Sequence, residues 1–102
     1  MNIIFEKMRE LIPYKTCVKA RANGNILIVS NFKHDIIYLN ETSKDFYDLC
    51  DGSKNIYQIY LEMLNIYHVS PEEFENDIIG LIRDMQWNDL IGLKGAYTNE
   101  RI

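Results

Sequence analysis

The side chains best equipped for chemistry in this chain are two histidines, two cysteines and the aspartates around the first helix end. His34 and His68 lie in different parts of the chain, and neither has a neighbouring set of metal ligands, so both read as exposed turn residues. Asp45, Asp48 and Asp51 suggest a carboxylate pair for acid–base work. Beside a helix end followed by Gly52, they are more simply solvated or capping groups. Cys17 and Cys50 are too few for a disulfide framework and lack metal spacing, which leaves two reduced, mostly buried thiols. There is no glycine-rich phosphate loop, no Ser-His-Asp or Cys-His set and no cysteine cluster. The expectation is a protein that is not an enzyme and carries neither cofactor nor metal. What remains reactive is backbone: between Asp35 and Asn40 runs an apolar strand with no lysine, proline or other device that guards a sheet edge.

The elements that would hold such a strand fit within 102 residues, one domain spanning 1–102 with its core over about 13–93. An apolar content of 47% is ample for one core. The net charge is −4, and its placement matters more than its sum. From Asn55 to Ile82 there is no Lys or Arg, while Glu62, Glu72, Glu73, Glu75 and Asp77 fall in that window. Such a surface repels phosphate, so nucleic acid is not an expected partner. No segment approaches a membrane span and the N-terminus lacks signal-peptide features, so the expected location is the cytoplasm, with no membrane partner.

Met1 to Ile12 reads as an amphipathic helix, with Ile4, Met8, Leu11 and Ile12 at helical spacing, stopped by Pro13. Thr16 to Ala22 alternates as a half-buried strand, and Asn23-Gly24 predicts a two-residue hairpin loop. The return strand, Ile26 to Val29, is apolar on both faces, so something should cover its back: the N-terminal helix, a second protomer or a partner protein. After a turn over Ser30 to Lys33, the strand Asp35 to Asn40 would put Ile37 and Leu39 on one face and Ile36 and Tyr38 on the other. Three strands with short loops form an antiparallel meander whose outer strands are edges, unless a segment such as Leu90 to Leu93 covers one.

Three helices follow. The first starts at Asn40 or Thr42, with Thr42 and Asp45 spaced as a capping box, buries Phe46, Leu49 and Cys50, and ends at Gly52. The second runs through Ile56, Ile59, Tyr60, Met63, Leu64 and Tyr67. The third opens with Ser70 as cap, Pro71 in the first turn and Glu73 completing a box, and buries Phe74, Ile78, Leu81, Ile82 and Met85. Ile79, Gln86 and Glu75 lie on a shoulder of that face, with Arg83 further round, while Trp87 points away from it: either the helix has ended by then and Trp87 folds back, or Trp87 is a partner-facing anchor. Leu90 to Leu93 is a short extended end that closes the core, and Ala96 to Ile102 reads as a frayed tail.

This order of elements resembles the PqqD family of peptide-recognition domains, also called RiPP recognition elements. A proline precedes the first strand and a glycine-containing hairpin follows; Leu39-Asn40-Glu41-Thr42 forms the strand–helix junction. Leu49-Cys50-Asp51-Gly52 closes the first helix, and an acidic third helix ends before Leu90-Ile91. The resemblance extends from about Leu11 through Leu93. It implies an α+β, winged-helix-like fold: a three-stranded antiparallel sheet followed by a three-helix bundle, with an extra N-terminal helix. It also implies a non-catalytic domain in which the leader segment of a ribosomally made precursor peptide adds as a strand to the third strand's free edge. The third helix forms the other wall, and the peptide is presented to a modifying enzyme, frequently a radical SAM protein. Carried over by position, the strand wall is Ile36, Ile37, Tyr38 and Leu39, and the helix wall is drawn from Ile79, Ile82, Arg83 and Gln86.

Strand addition also has a physical basis apart from the resemblance, since an unpaired edge offers N–H and C=O groups to a peptide backbone. On that reading Ile37→Pro should remove a backbone donor and weaken leader binding far more than Lys94→Ala. The open edge and the apolar second strand could also serve a homodimer. The reading from a different class is a winged-helix nucleic-acid-binding regulator, which would need cations or amides along the third helix; Gln86 and Arg83 are offset there by four acids in the first two turns.

Overall fold

The computed structural model describes residues 2–95. The frayed tail expected over residues 96–102 lies outside the described residues. The elements run α1 (Ile3–Met8), β1 (Ile12–Lys15), β2 (Lys19–Asn23), β3 (Ile26–Ser30), β4 (Ile36–Leu39), α2 (Glu41–Leu49), α3 (Ile56–Ile66), α4 (Pro71–Trp87) and β5 (Ile91–Lys94). The fold is α+β. β2, β3 and β4 form an antiparallel meander in that order, and β1 and β5 form a separate antiparallel ribbon.

The N-terminal helix is shorter than its periodicity suggests. Asn2 caps it, its side-chain oxygen accepting from the Ile4 and Phe5 amides, and the helix stops at Met8. Beyond it the chain is taken over by tertiary hydrogen bonds: the Ile56 amide donates to Leu11 O, and the Tyr57 amide to Arg9 O. Ile12 and Pro13 therefore belong to a strand rather than to a helix end. The buried side chain of α1 is Phe5, not Ile4, which is 42% exposed. Phe5 meets Tyr60 at 4.8 Å between ring centroids, and Tyr60 stacks on Phe74, so an aromatic column joins α1, α3 and α4.

The hairpin turn is Gly24-Asn25, one residue later than expected, because Asn23 pairs with Ile26. Gly24 takes φ +64°, and Asn25 has no positive φ, the pattern of a II′ turn with glycine first. β2 starts at Lys19, and all of its residues are exposed, so the half-burial expected over Thr16 to Ala22 holds for Thr16 and Cys17 and fails from Val18 onward. An edge strand with no layer stacked beneath it has nothing to bury against.

Helix caps follow the sequence unevenly. Asn40, not Thr42, caps α2, accepting from the Ser43 amide at 2.9 Å. The reciprocal cap is at α3, where Asn55 accepts from the Gln58 amide and Gln58 accepts from the Asn55 amide, each at 2.8 Å. At α4, Ser70 makes no side-chain cap bond. That helix start is held by packing instead, the Tyr60 hydroxyl donating to Pro71 O at 3.0 Å, while Glu72 and Glu73 still oppose the positive end of the helix dipole. The core lies between the inner face of the sheet and the helices, with Leu27, Val29 and Leu39 meeting Phe46, Ile59, Met63, Ile78 and Ile82.

Candidate functional site

β4 is the outer strand of its sheet. The segment expected as a possible cover, Leu90 to Leu93, instead pairs with β1, so among the described strands the outer side of β4 has no partner. The direction of each backbone group follows from the register. Asn31 and Asp35 stand opposite each other where the strands enter the turn, and the Asn31 amide donates to Asp35 O at 3.2 Å. In an antiparallel pair hydrogen-bonded positions alternate, so Ile37 and Leu39 turn their backbone groups to Val29 and Leu27. The N–H and C=O of Ile36 and Tyr38 then point out of the free edge. Proline at Ile37 would thus break the β3–β4 ladder, and the donor to remove on the open side is that of Tyr38. The side chains divide as expected: Leu39 is buried and Ile37 half-buried, while Ile36 and Tyr38, 65% and 67% exposed, stand on the outer face of the sheet.

The helix wall is less like the expectation. Ile79 and Ile82, 5% and 0% exposed, are core side chains. The shoulder that carries Ile79 is covered from the N-terminal side by α1: the Asn2 amide donates to Oε1 of buried Glu75 at 2.9 Å, and the Asn2 side chain bonds Asn76. Arg83 and Gln86 remain exposed. The apolar side chains of α4 that keep accessible surface are Leu81, half-buried, and Trp87, 87% exposed. Gln86 and Trp87 come together with Lys33, Asp35, Asn88 and Asp89 around an open cavity of about 450 Å³ between the β3–β4 turn and the end of α4.

That junction is built by Asn31, a residue the sequence shows only as one of a turn. It is 1% exposed. Its side-chain oxygen accepts from the Lys33 and Asp35 amides at 2.9 and 3.1 Å. Its amide group donates to Asp35 Oδ2 at 3.2 Å and to Asn88 O at 2.8 Å. The first pair is the local turn chemistry for which asparagine is favoured, and legible in principle. The bond to Asn88 is tertiary and ties the root of β4 to the C-terminus of α4. Lys33 adds an ion pair with Asp89 at 3.0 Å, and the hydrogen bond to that carboxylate holds the ammonium pKa above its usual value. His34 and Asp89 both sit at positive φ, 68° and 55°, as the two sides of this junction turn.

The groups first considered for chemistry are engaged elsewhere. Asp45 accepts from the Tyr67 hydroxyl, Asp48 pairs with Lys44, and Asp51 accepts from Ser53 and Lys54. The Ser53 bonds, with Lys54, hold the Asp51 carboxyl well below the usual carboxylate range. Burial pushes the Cys50 thiol up to about 12, where it is inert as a nucleophile. Among the described residues no three His, Cys, Asp or Glu side chains gather as a metal site, and no helix is long and apolar enough to cross a membrane. What the arrangement offers is an open strand edge and, at one end of it, a polar cavity with an exposed indole.

Comparison with known proteins yields one family. The model of the PqqD family, described as coenzyme PQQ synthesis protein D, matches residues 26–91, a narrower span than the Leu11–Leu93 of the sequence resemblance. No curated protein and no solved structure matches the chain. The matched part begins at β3, contains β4 and all of α2, α3 and α4, and leaves out α1, β1 and β2. With more than half of its length matched in this way, the chain belongs to the PqqD family.

Proposed function

We propose that this protein captures the leader segment of a ribosomally made precursor peptide by strand addition to the free edge of β4, and presents it to a modifying enzyme of the radical SAM class. Membership of the PqqD family supports the coarser part of this reading, a peptide-binding partner protein in a cofactor or peptide natural-product pathway. The observation that carries the finer part is the unpaired outer side of β4, where the backbone of Ile36 and Tyr38 faces outward and the chain's spare strand, β5, is already engaged with β1. A peptide strand there gains main-chain hydrogen bonds, and side-chain pockets select its sequence. The cavity beside Gln86 and Trp87 is the part of the α4 wall best placed for that selection. The acidic face of α4 favours a peptide over a nucleic acid as ligand.

Calorimetric titration with the precursor peptide encoded by a neighbouring reading frame tests this. Tyr38→Pro removes the outward donor without breaking the β3–β4 ladder and should weaken binding at least about tenfold, the cost of one lost hydrogen bond and one stranded peptide carbonyl. Tyr38→Ala controls for the ring, and Lys94→Ala should leave affinity unchanged. Equal affinities for Tyr38→Pro and Tyr38→Ala, with folding confirmed by circular dichroism, would refute edge addition.

A further inference from the structure

Among the described residues nothing covers the outer face of the β2–β3–β4 sheet. α1, a candidate for that role, is tied to α4 through Asn2, Glu75 and Asn76, on the helical side of the molecule. The register aligns Arg21, Ile28 and Tyr38 in one row across the three strands, and Lys19, Ser30 and Ile36 in the next. Ile26, Ile36 and Tyr38 are 43%, 65% and 67% exposed, and an open cavity of about 620 Å³ lies over Ile28 and Ile36 between the side chains of Lys19 and Arg21. No aspartate or glutamate stands on these three strands. Neither Lys19 nor Arg21 has an ion pair among the described residues. In a chain of net charge −4, this is an apolar surface rimmed by uncompensated cations.

We propose that this face docks the modifying enzyme, through a surface on that enzyme that is apolar at its centre and carries carboxylates at its rim. The proposal rests on the leader-peptide reading, which supplies the enzyme as a partner. Charge decides among the possible occupants. A second copy packed face to face would set Lys19 and Arg21 against cations of the same kind, a juxtaposition that costs affinity. A leader strand on the β4 edge lies beside this face rather than on it, and its outward side chains extend the sheet surface, so the enzyme would meet the domain and its bound peptide as one continuous face.

The test measures the wild-type chain, Lys19→Gln/Arg21→Gln and Lys19→Glu/Arg21→Glu by calorimetry, against the precursor peptide and, separately, against the modifying enzyme encoded beside it. Enzyme affinity should fall about tenfold for the glutamine pair and further for the glutamate pair, with precursor affinity unchanged. Both positions are exposed, and thermal melts confirm folding; the glutamine pair carries the test if the glutamate pair is unstable. Enzyme affinity that is absent in the wild type, or unchanged in both variants, overturns the proposal. Equal losses for enzyme and precursor also overturn it, because the face then reads the peptide. So does a dimer seen by sedimentation that the variants abolish, since a second copy is then the occupant. A wild-type chain that binds the enzyme with this charge dependence but not the precursor leaves docking standing and sinks only the edge-addition reading.

Discussion

β4 and β5 are both four-residue strands, Ile36-Ile37-Tyr38-Leu39 and Ile91-Gly92-Leu93-Lys94, and the fold treats them in opposite ways. In β5 the two large apolar side chains, Ile91 and Leu93, are 5% and 4% exposed. Its partner β1 is engaged on both sides: β5 pairs with one, and on the other the Gly52 amide donates to Pro13 O and Tyr14 bridges to Asp51. Gly92 lets the Tyr14 ring lie directly over the strand, where a Cβ would come 2.5 Å from the ring. β4 has one ladder, one buried side chain and two large apolar side chains in solvent. Composition differs against the outcome expected of edge protection alone: the strand that carries a lysine, Lys94, is the paired one. The difference is which strand β5 chooses, and by closing on β1 it leaves β4 without an outer partner among the described residues.

The sharpest way to break this contrast is a matched truncation. Leu93→Ala should cost about 2–4 kcal/mol in denaturant unfolding, the transfer and cavity terms of a buried leucine. Ile36→Ala should fall within about 0.5 kcal/mol of the wild type, because most of its side chain is already in water. Similar costs for the two would mean that β4 is covered after all.

Asn31→Ala tests the root of β4 in the same assay. It strands the Lys33 and Asp35 amides and Asn88 O, and should cost about 2 kcal/mol. It should also weaken precursor binding, since β4 loses its tie to α4. A variant that keeps both stability and affinity would show that the turn orients itself without this side chain.

The smallest effect concerns the β1 side. Asp51 has a folded-state pKa below its unfolded value, so the stability it contributes is present above about pH 4 and is lost as pH falls through and below that value. Asp51→Asn should therefore lower the unfolding midpoint slightly at pH 7 and by less at pH 2, where part of the contribution has been lost. Differences of equal size at both values would assign the effect to the loop backbone rather than to the charge.

Much of this molecule was readable as a pattern. The meander, α3 with Ile56, Ile59, Tyr60 and Met63, and the seventeen-residue α4 follow from periodicity and turn residues, because both act over a few neighbours. Strand alternation put Ile36 and Tyr38 on the outer face, whereas the folded-back alternative for Trp87 fails, because α4 continues through it and leaves it exposed. The helical wheel put Ile82 in the core, where it lies, and its place in the helix wall came from the resemblance; Ile79 was set on the shoulder, and a wheel does not say what lies against a shoulder. Here α1, arriving from the far end of the chain, fills that shoulder. Ile12 was assigned to the helix, and Pro13 to its stop, because helical spacing over four residues outweighed strand partners as far away as Lys94 and Leu93.

By itself, then, the sequence determined the elements, the acidic helical half, and a strand without the usual edge protection. Those properties are local, carried by propensity, spacing and charge. Only the tertiary structure decided that the strand's outer side has no partner among the described residues, that Ile36 and Tyr38 rather than Ile37 turn their backbone outward, and that Asn31 ties the edge to α4. Each of these depends on a register or a hydrogen bond between residues far apart in the chain, and such pairings are set by the packing of the whole rather than by any one stretch.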